Sequence, residues 1–202
     1  MPSHDFIYLA SQSPRRRQLL SQIGVRHELL LADADEDAEA LEATRAGELP
    51  RDYVERVTRA KLAAARRRHQ RRELPPAPIL CADTTVALGR RILGKPADAA
   101  DARATLTALS GRSHRVLTAV AVFDGRRSSL VVNDSRVRFA AIPAEVIEAY
   151  VDSGEPFGKA GSYAIQSSLA GWIERIEGSH SGIMGLPLFE THQLLRRAGL
   201  RP

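Results

Sequence analysis

The sequence has one cysteine, one tryptophan, 5% aromatic residues and only three lysines among its 29 basic residues. The lone Cys81 excludes an intramolecular disulfide and a cysteine-rich zinc site, and its neighbours Ile79, Leu80 and Ala82 predict a buried thiol. Near the start, residues 6–10 form an apolar run too short to span a bilayer or to act as a signal-peptide core, so a soluble cytoplasmic protein is expected. There is no Gly-x4-Gly-Lys-Ser/Thr loop, no His-Glu-x-x-His pair and no complete Gly-x-Ser-x-Gly elbow, which removes the better-known hydrolase signatures. Internal repeats and long linkers are absent too.

What is present begins with arginine. The formal charge of +5 makes polyanions plausible partners, but much of the excess lies in Arg66-Arg67-Arg68-His69-Gln70-Arg71-Arg72. No aromatic residues interleave for base stacking, so this run reads as a solvated helix end and loop, and a nucleic-acid partner is not expected. With 202 residues, 44% of them hydrophobic, the chain can bury one substantial core or two small lobes flanking a cleft.

Periodicity predicts strands over 6–10, 27–31, 79–88, 114–123 and 128–139, with a hairpin turn at Asp124-Gly125, and shorter strands over 163–166 and 172–176. Helices are predicted from Ser13-Pro14 to Gly24, over 51–69, 99–109 and 143–151, and over 187–198 with Pro187 at the start. The fold class is therefore mixed α/β, a mixed sheet flanked by helices, expected as a single domain over residues 1–202.

Three constellations carry chemistry. Ser11-Gln12-Ser13-Pro14-Arg15-Arg16-Arg17 places cations at a helix N-terminus, the wrong end for them electrostatically by about 0.3–1 kcal/mol per charge. A docked anion would reverse that sign, with Ser11, Ser13, backbone amides and arginines as donors; otherwise the arginines extend into solvent. Asp83 lies within an apolar strand, so its carboxylate is either structurally hydrogen-bonded or turned to a cleft, where it could bind a metal or take a proton from water. The acidic stretch Asp33, Asp35, Glu36 and Asp37 is mostly solvated, with room for one residue to reach a metal. Finally, Lys95 and Lys159 both sit beside glycines, which suits close approach of an ammonium to a phosphate oxygen. Together these residues suit a metal-bound polyphosphate.

The blocks Leu9-Ala10-Ser11-x-Ser13-Pro14-Arg15-Arg16, Ala82-Asp83-Thr84-x-Val86, Gly94-Lys95-Pro96, Leu109-Ser110-Gly111-x-x-His114 and Gly158-Lys159-Ala160-Gly161-x-Tyr163-x-Ile165-Gln166 occur in order. In that combination the chain closely resembles the Maf family, from about residue 7 to 195. The resemblance implies a nucleotide pyrophosphatase with two lobes around a cleft, a divalent metal (Mg²⁺ or Mn²⁺) and a homodimer. Glu155-Pro156-x-x-Lys159 through Gln166, followed by Gly185-Leu186-Pro187-Leu188, is similar to the branch acting on dTTP and UTP rather than on 7-methyl-GTP. Ser167 stands where that branch usually has glycine. By the same resemblance Asp83 is the proton acceptor and Arg15, Thr84 and Gln166 match positions linked to substrate choice. Ser11, Arg16, Glu36, Lys95 and Lys159 match polar positions around the phosphates and metal, with Glu36 and Asp83 as the implied ligands. The alternatives are a phosphatase releasing orthophosphate and a nucleic-acid-binding regulator of cell division, the latter suggested by the basic run and the family's historical name.

Overall fold

The computed structural model describes residues 4–34, 36–37 and 40–200. Its elements run β1 (Ile7–Leu9), α1 (Pro14–Gln22), β2 (His27–Leu29), α2 (Pro50–Arg71), β3 (Ile79–Leu88), β4 (Arg91–Leu93), α3 (Ala99–Leu109), β5 (Ser113–Phe123), β6 (Ser128–Phe139), α4 (Ala144–Asp152), β7 (Ile173–Glu177), α5 (His180–Met184) and α6 (Leu188–Arg197). The mixed α/β class expected from periodicity is the one observed. Among the described residues no helix is long and apolar enough to cross a membrane.

Seven strands form one sheet in the order β2-β1-β3-β5-β6-β7, with β4 off this path on β3. β2, β1 and β3 are parallel, and every other pairing is antiparallel. β1 and β4 share one edge of β3. β1 pairs at its beginning, Tyr8 with Ile79 and Leu9 with Leu80, while β4 pairs at its end, from Val86 to Leu88. On the opposite edge β5 pairs continuously from Ile79 to Ala87. The sheet is therefore forked, and residues 81–85 of β3 form the bare base of the fork.

Alternation along β3 assigns its side chains to two faces. Cys81 faces α2 with Leu62 and Ala65, whereas Leu80 and Ala82 face α1 and α6 with Leu19, Leu20, Leu194 and Leu195. Beyond the fork, α3 and α4 pack Leu106, Leu109, Ile147 and Val151 onto Val86, Val116, Val137 and Phe139. By the same period of two, Asp83 falls on the α2 face and Thr84 on the α1 face.

Local chemistry explains the boundaries. Ser13 caps α1 by accepting the Arg16 N–H, and Asp98 caps α3 by accepting the Asp101 N–H. Asp124 Oδ1 accepts the N–H groups of Arg126 and Arg127, closing the expected hairpin. Two expectations are corrected. Residues 163–166 form no strand: Gly161 and Ser162 both take positive φ, at 69° and 62°, and short 3-10 turns flank the segment, so extended pairing cannot begin there. Pro187 caps α6 instead of occupying its first turn. β4 and α5, at three and five residues, are too short for periodicity to reveal.

Candidate active site

The fork opens into a cleft of about 790 Å³. Ser11 and Ser13 enter from the turn after β1, Arg15 and Arg16 from the first turn of α1, Asp83 and Thr84 form the floor, Lys95 follows β4, and Lys159 and Gln166 come from the loop before β7. Glu36 lines the cleft from the segment between β2 and α2, so all ten residues singled out from the sequence border one cavity. Asp35, in the same acidic stretch, lies outside the described residues.

Asp83 is buried, with 7% of its surface exposed, and its Oδ1 accepts a hydrogen bond of 2.5 Å from Lys61 Nζ. Burial pushes its pKa up; Lys61 and Arg16 offset this in part, and the like charge of Glu42 adds to it. Lys61 also donates to Glu42 Oε1 at 2.7 Å, and Lys95 Nζ lies 2.8 Å from Glu42 Oε2. Burial raises the Glu42 pKa, but the two lysines outweigh it and hold the group below its ordinary value. The result is an alternating chain, Asp83, Lys61, Glu42, Lys95, across the mouth of the fork.

Arg16 behaves as scaffold. Its guanidinium donates to Gly185 O at 2.8 Å, Ser11 Oγ at 3.2 Å and Thr84 Oγ1 at 3.3 Å. Thr118 donates to Gly182 O at 2.7 Å and lies 2.9 Å from Thr84 Oγ1, so the Thr84 proton points to Thr118 and not into the cleft. Burial lowers the Arg16 pKa, with Asp83 opposing. Arg16 thus lines the cleft while three of its donors join α1, β3 and the turn before α6.

The Arg15 guanidinium has no hydrogen-bond or ion-pair partner among the described residues. Lys159, which donates to Glu155 O, has its pKa lowered first by burial and then by the charge of Arg15. Two cations from opposite walls therefore repel one another, an arrangement that an intervening anion would relieve. Gln166 is exposed to the cleft with its amide unpartnered among the described residues, leaving a donor and an acceptor for a ligand. Ser167, the departure from the family pattern, donates to Ala164 O at 2.7 Å and caps the next turn by accepting from Leu169 N–H.

The basic run at the end of α2 is exposed at Arg67, Gln70, Arg71 and Arg72, as expected of a solvated helix end, but much of it is also paired. Arg68 grips Glu36 through Nε at 3.1 Å and Nη2 at 2.5 Å, and donates to Leu30 O at 2.7 Å. Arg71 adds a 2.7 Å bond to Glu36 and reaches Asp33, while Arg72 holds Asp33 and Leu31 O. Arg66 lies over the Phe123 ring, 3.9 Å from its centroid. Arg68, with Arg71 assisting, holds the Glu36 pKa down at about 2. The run pins the segment that borders the cleft, and Glu36 is committed to two arginines.

Lys61 and Glu42 were missed by the sequence reading. Lys61 carried a signal: it lies on the stripe Val54, Val57, Thr58, Leu62 and Ala65 that α2 buries, as does Arg68. A cation on an apolar stripe needs a buried acid. Glu42, in a short 3-10 turn, carried none.

The fold and cleft place the chain among mixed α/β proteins with a cleft where one sheet divides. More narrowly, the chain belongs to the Maf family, whose "Maf-like protein" model matches residues 6–198. A Cupriavidus pinatubonensis relative is 64% identical over 198 residues, covering 98% of this chain and 99% of its own. A Polaromonas relative is 62% identical over 201 residues and all of both chains, and one from Burkholderia pseudomallei is 61% identical over 199 residues, 98% and 95% of the two. Each of the three is named dTTP/UTP pyrophosphatase.

Proposed function

We propose that this chain hydrolyses dTTP and UTP to the monophosphate and pyrophosphate, acting as a single Maf-like domain over residues 1–202, as a cytoplasmic homodimer. The similarity to relatives of that name supports the reading, and one observation carries it: all three lysines of the chain, Lys61, Lys95 and Lys159, line one cleft with Arg15 above a buried carboxylate. A polyphosphate needs that density of compact cations, and a water nucleophile needs a base more basic than an ordinary carboxylate.

In this mechanism Arg15, Lys159, Ser11 and Ser13 hold the triphosphate. Lys61 and Lys95 exchange carboxylate oxygens for phosphate oxygens, which frees Asp83 to take a proton from water as it attacks the α-phosphorus. Pyrophosphate leaves, with the lysines offsetting its charge. Asp83 and Glu36 border the same cleft, and a divalent cation of the Mg²⁺ type, which keeps waters and substrate oxygens, asks the protein for only one or two carboxylates. Asp83 would hold it together with Glu36, once Glu36 leaves Arg68 and Arg71, and the ion would supply further charge neutralisation at the phosphates. Arg16 and Thr84 shape the floor, and Gln166 pairs with the pyrimidine edge.

The test is a panel of dTTP, UTP, CTP and 7-methyl-GTP with Mg²⁺ or Mn²⁺, with separate detection of pyrophosphate and orthophosphate. Pyrophosphate release, fastest from dTTP and UTP, is expected. Diphosphate plus orthophosphate would reject the cleavage site, and preference for 7-methyl-GTP would reject the branch.

A further inference from the structure

His114 lies outside the cleft, at the start of β5, yet it reaches the loop that lines the cleft. It is 2% exposed, and its Nε2 shares a 2.7 Å hydrogen bond with the hydroxyl of Tyr163. Its Nδ1 has only the Arg112 backbone near it, outside hydrogen-bonding geometry. The Tyr163 ring stands edge-on to His114 and Phe139, with centroids 5.4 and 4.9 Å away. β5 pairs along its whole length with β6 and with most of β3, so His114 is a fixed point of the sheet.

The segment it holds is otherwise irregular. Ser162, the residue before Tyr163, takes φ of 62°, a left-handed conformation unusual for a side-chain-bearing residue, and its buried Oγ has no partner. Three residues after Tyr163 comes Gln166, between Ile165, which is buried in the α3–α4 core, and Ser167, which is bonded to Ala164 O. The position of the Gln166 amide therefore depends on where Tyr163 is anchored.

We infer that His114 and Tyr163 form a positioning pair whose hydrogen bond sets the Gln166 amide for recognition of the pyrimidine edge. The inference rests on the proposed nucleotide reading and adds that base selectivity is set from the sheet, through a buried pair in which Tyr163 borders the cleft and His114 stands behind it. Tyr163→Phe removes one oxygen without changing shape, but strands the His114 imidazole. His114→Phe strands the tyrosine hydroxyl. The double variant removes both polar groups, and because neither partner is then left unsatisfied, its stability should return toward wild type.

The experiment measures kcat and KM for dTTP and CTP, along with Tm, in wild type, both single variants and the double variant. The expected result is a fall in the dTTP-over-CTP preference of about three- to tenfold, carried by KM, in all three variants. Tm should drop in the singles and recover in the double, while the preference stays low. A preference that recovers together with Tm would make the pair purely structural, and an unchanged preference in every variant would remove it from recognition; either overturns the inference. Wild-type protein that releases no pyrophosphate from dTTP would instead fail the functional reading on which the pair depends.

Discussion

Gly161 is the tightest point of the loop that carries Lys159 and Gln166. Its φ is 69°, and a Cβ added there would meet three carbons of Val86 at 2.8 Å. Gly161→Ala therefore incurs two separable penalties. The left-handed backbone costs about 1–2 kcal/mol for a residue with a Cβ. Forcing a methyl against a β-branched side chain of the sheet costs about 1–3 kcal/mol more. Gly89 supplies the control, because its φ is 62° and no atom lies within 4 Å of an added Cβ, so Gly89→Ala incurs the first penalty alone. In a domain of this size 1 kcal/mol corresponds to about 2–4 °C in Tm, so Gly161→Ala should melt about 2–12 °C below Gly89→Ala. Thermal unfolding followed by circular dichroism checks this, alongside KM for dTTP, which should rise only in Gly161→Ala. Equal melting temperatures in the two variants would refute the claim that Val86 and Gly161 are packed without space.

Asp83→Asn should lower turnover at least about a hundredfold while isothermal titration still detects nucleotide binding, as expected for loss of a general base; near-normal turnover would end its assignment as the base. Lys61→Met removes the cation that offsets burial of Asp83, so the carboxyl stays protonated to higher pH and the acid limb of the kcat/KM profile should move upward; an unmoved limb would mean that the pair does not govern activity. His114 should make stability acid-sensitive: burial lowers its pKa from 6.5 to about 4, so the unfolded chain binds a proton in that window while the folded one does not. Stability is then constant on this account above about pH 6.5 and falls as pH drops toward 4, by roughly 3 kcal/mol in all. Urea unfolding at pH 7 and 4.5 should show this loss in wild type and not in His114→Phe, and identical slopes would contradict it.

Much of the fold was legible because its long elements are periodic. Residues 79–88 and 99–109 read from the sequence coincide with β3 and α3. The failures are local and share a cause. Residues 163–166 are apolar enough to suggest a strand, but two successive positive φ values at Gly161 and Ser162 decide otherwise, and Ser162 does not announce that conformation. In the cleft, the residues flanked by glycine or isolated in apolar surroundings stood out, as Lys95, Lys159 and Asp83 did. What pattern could not supply was pairing. That Arg68 and Arg71 face Glu36, and that Lys61 lies between Asp83 and Glu42, depends on distances across α2 that no spacing encodes.

The bare base of the fork also bears on tolerance to change. Because β1 and β4 meet β3 at opposite ends of the same edge, the connections leaving them border the cleft without pairing across it. Lengthening either connection would widen or narrow the mouth, while the register between β3 and β5 keeps Asp83 opposite Ala119. The chemistry of the floor and the dimensions of the opening are thus set by different parts of the chain and are free to vary independently.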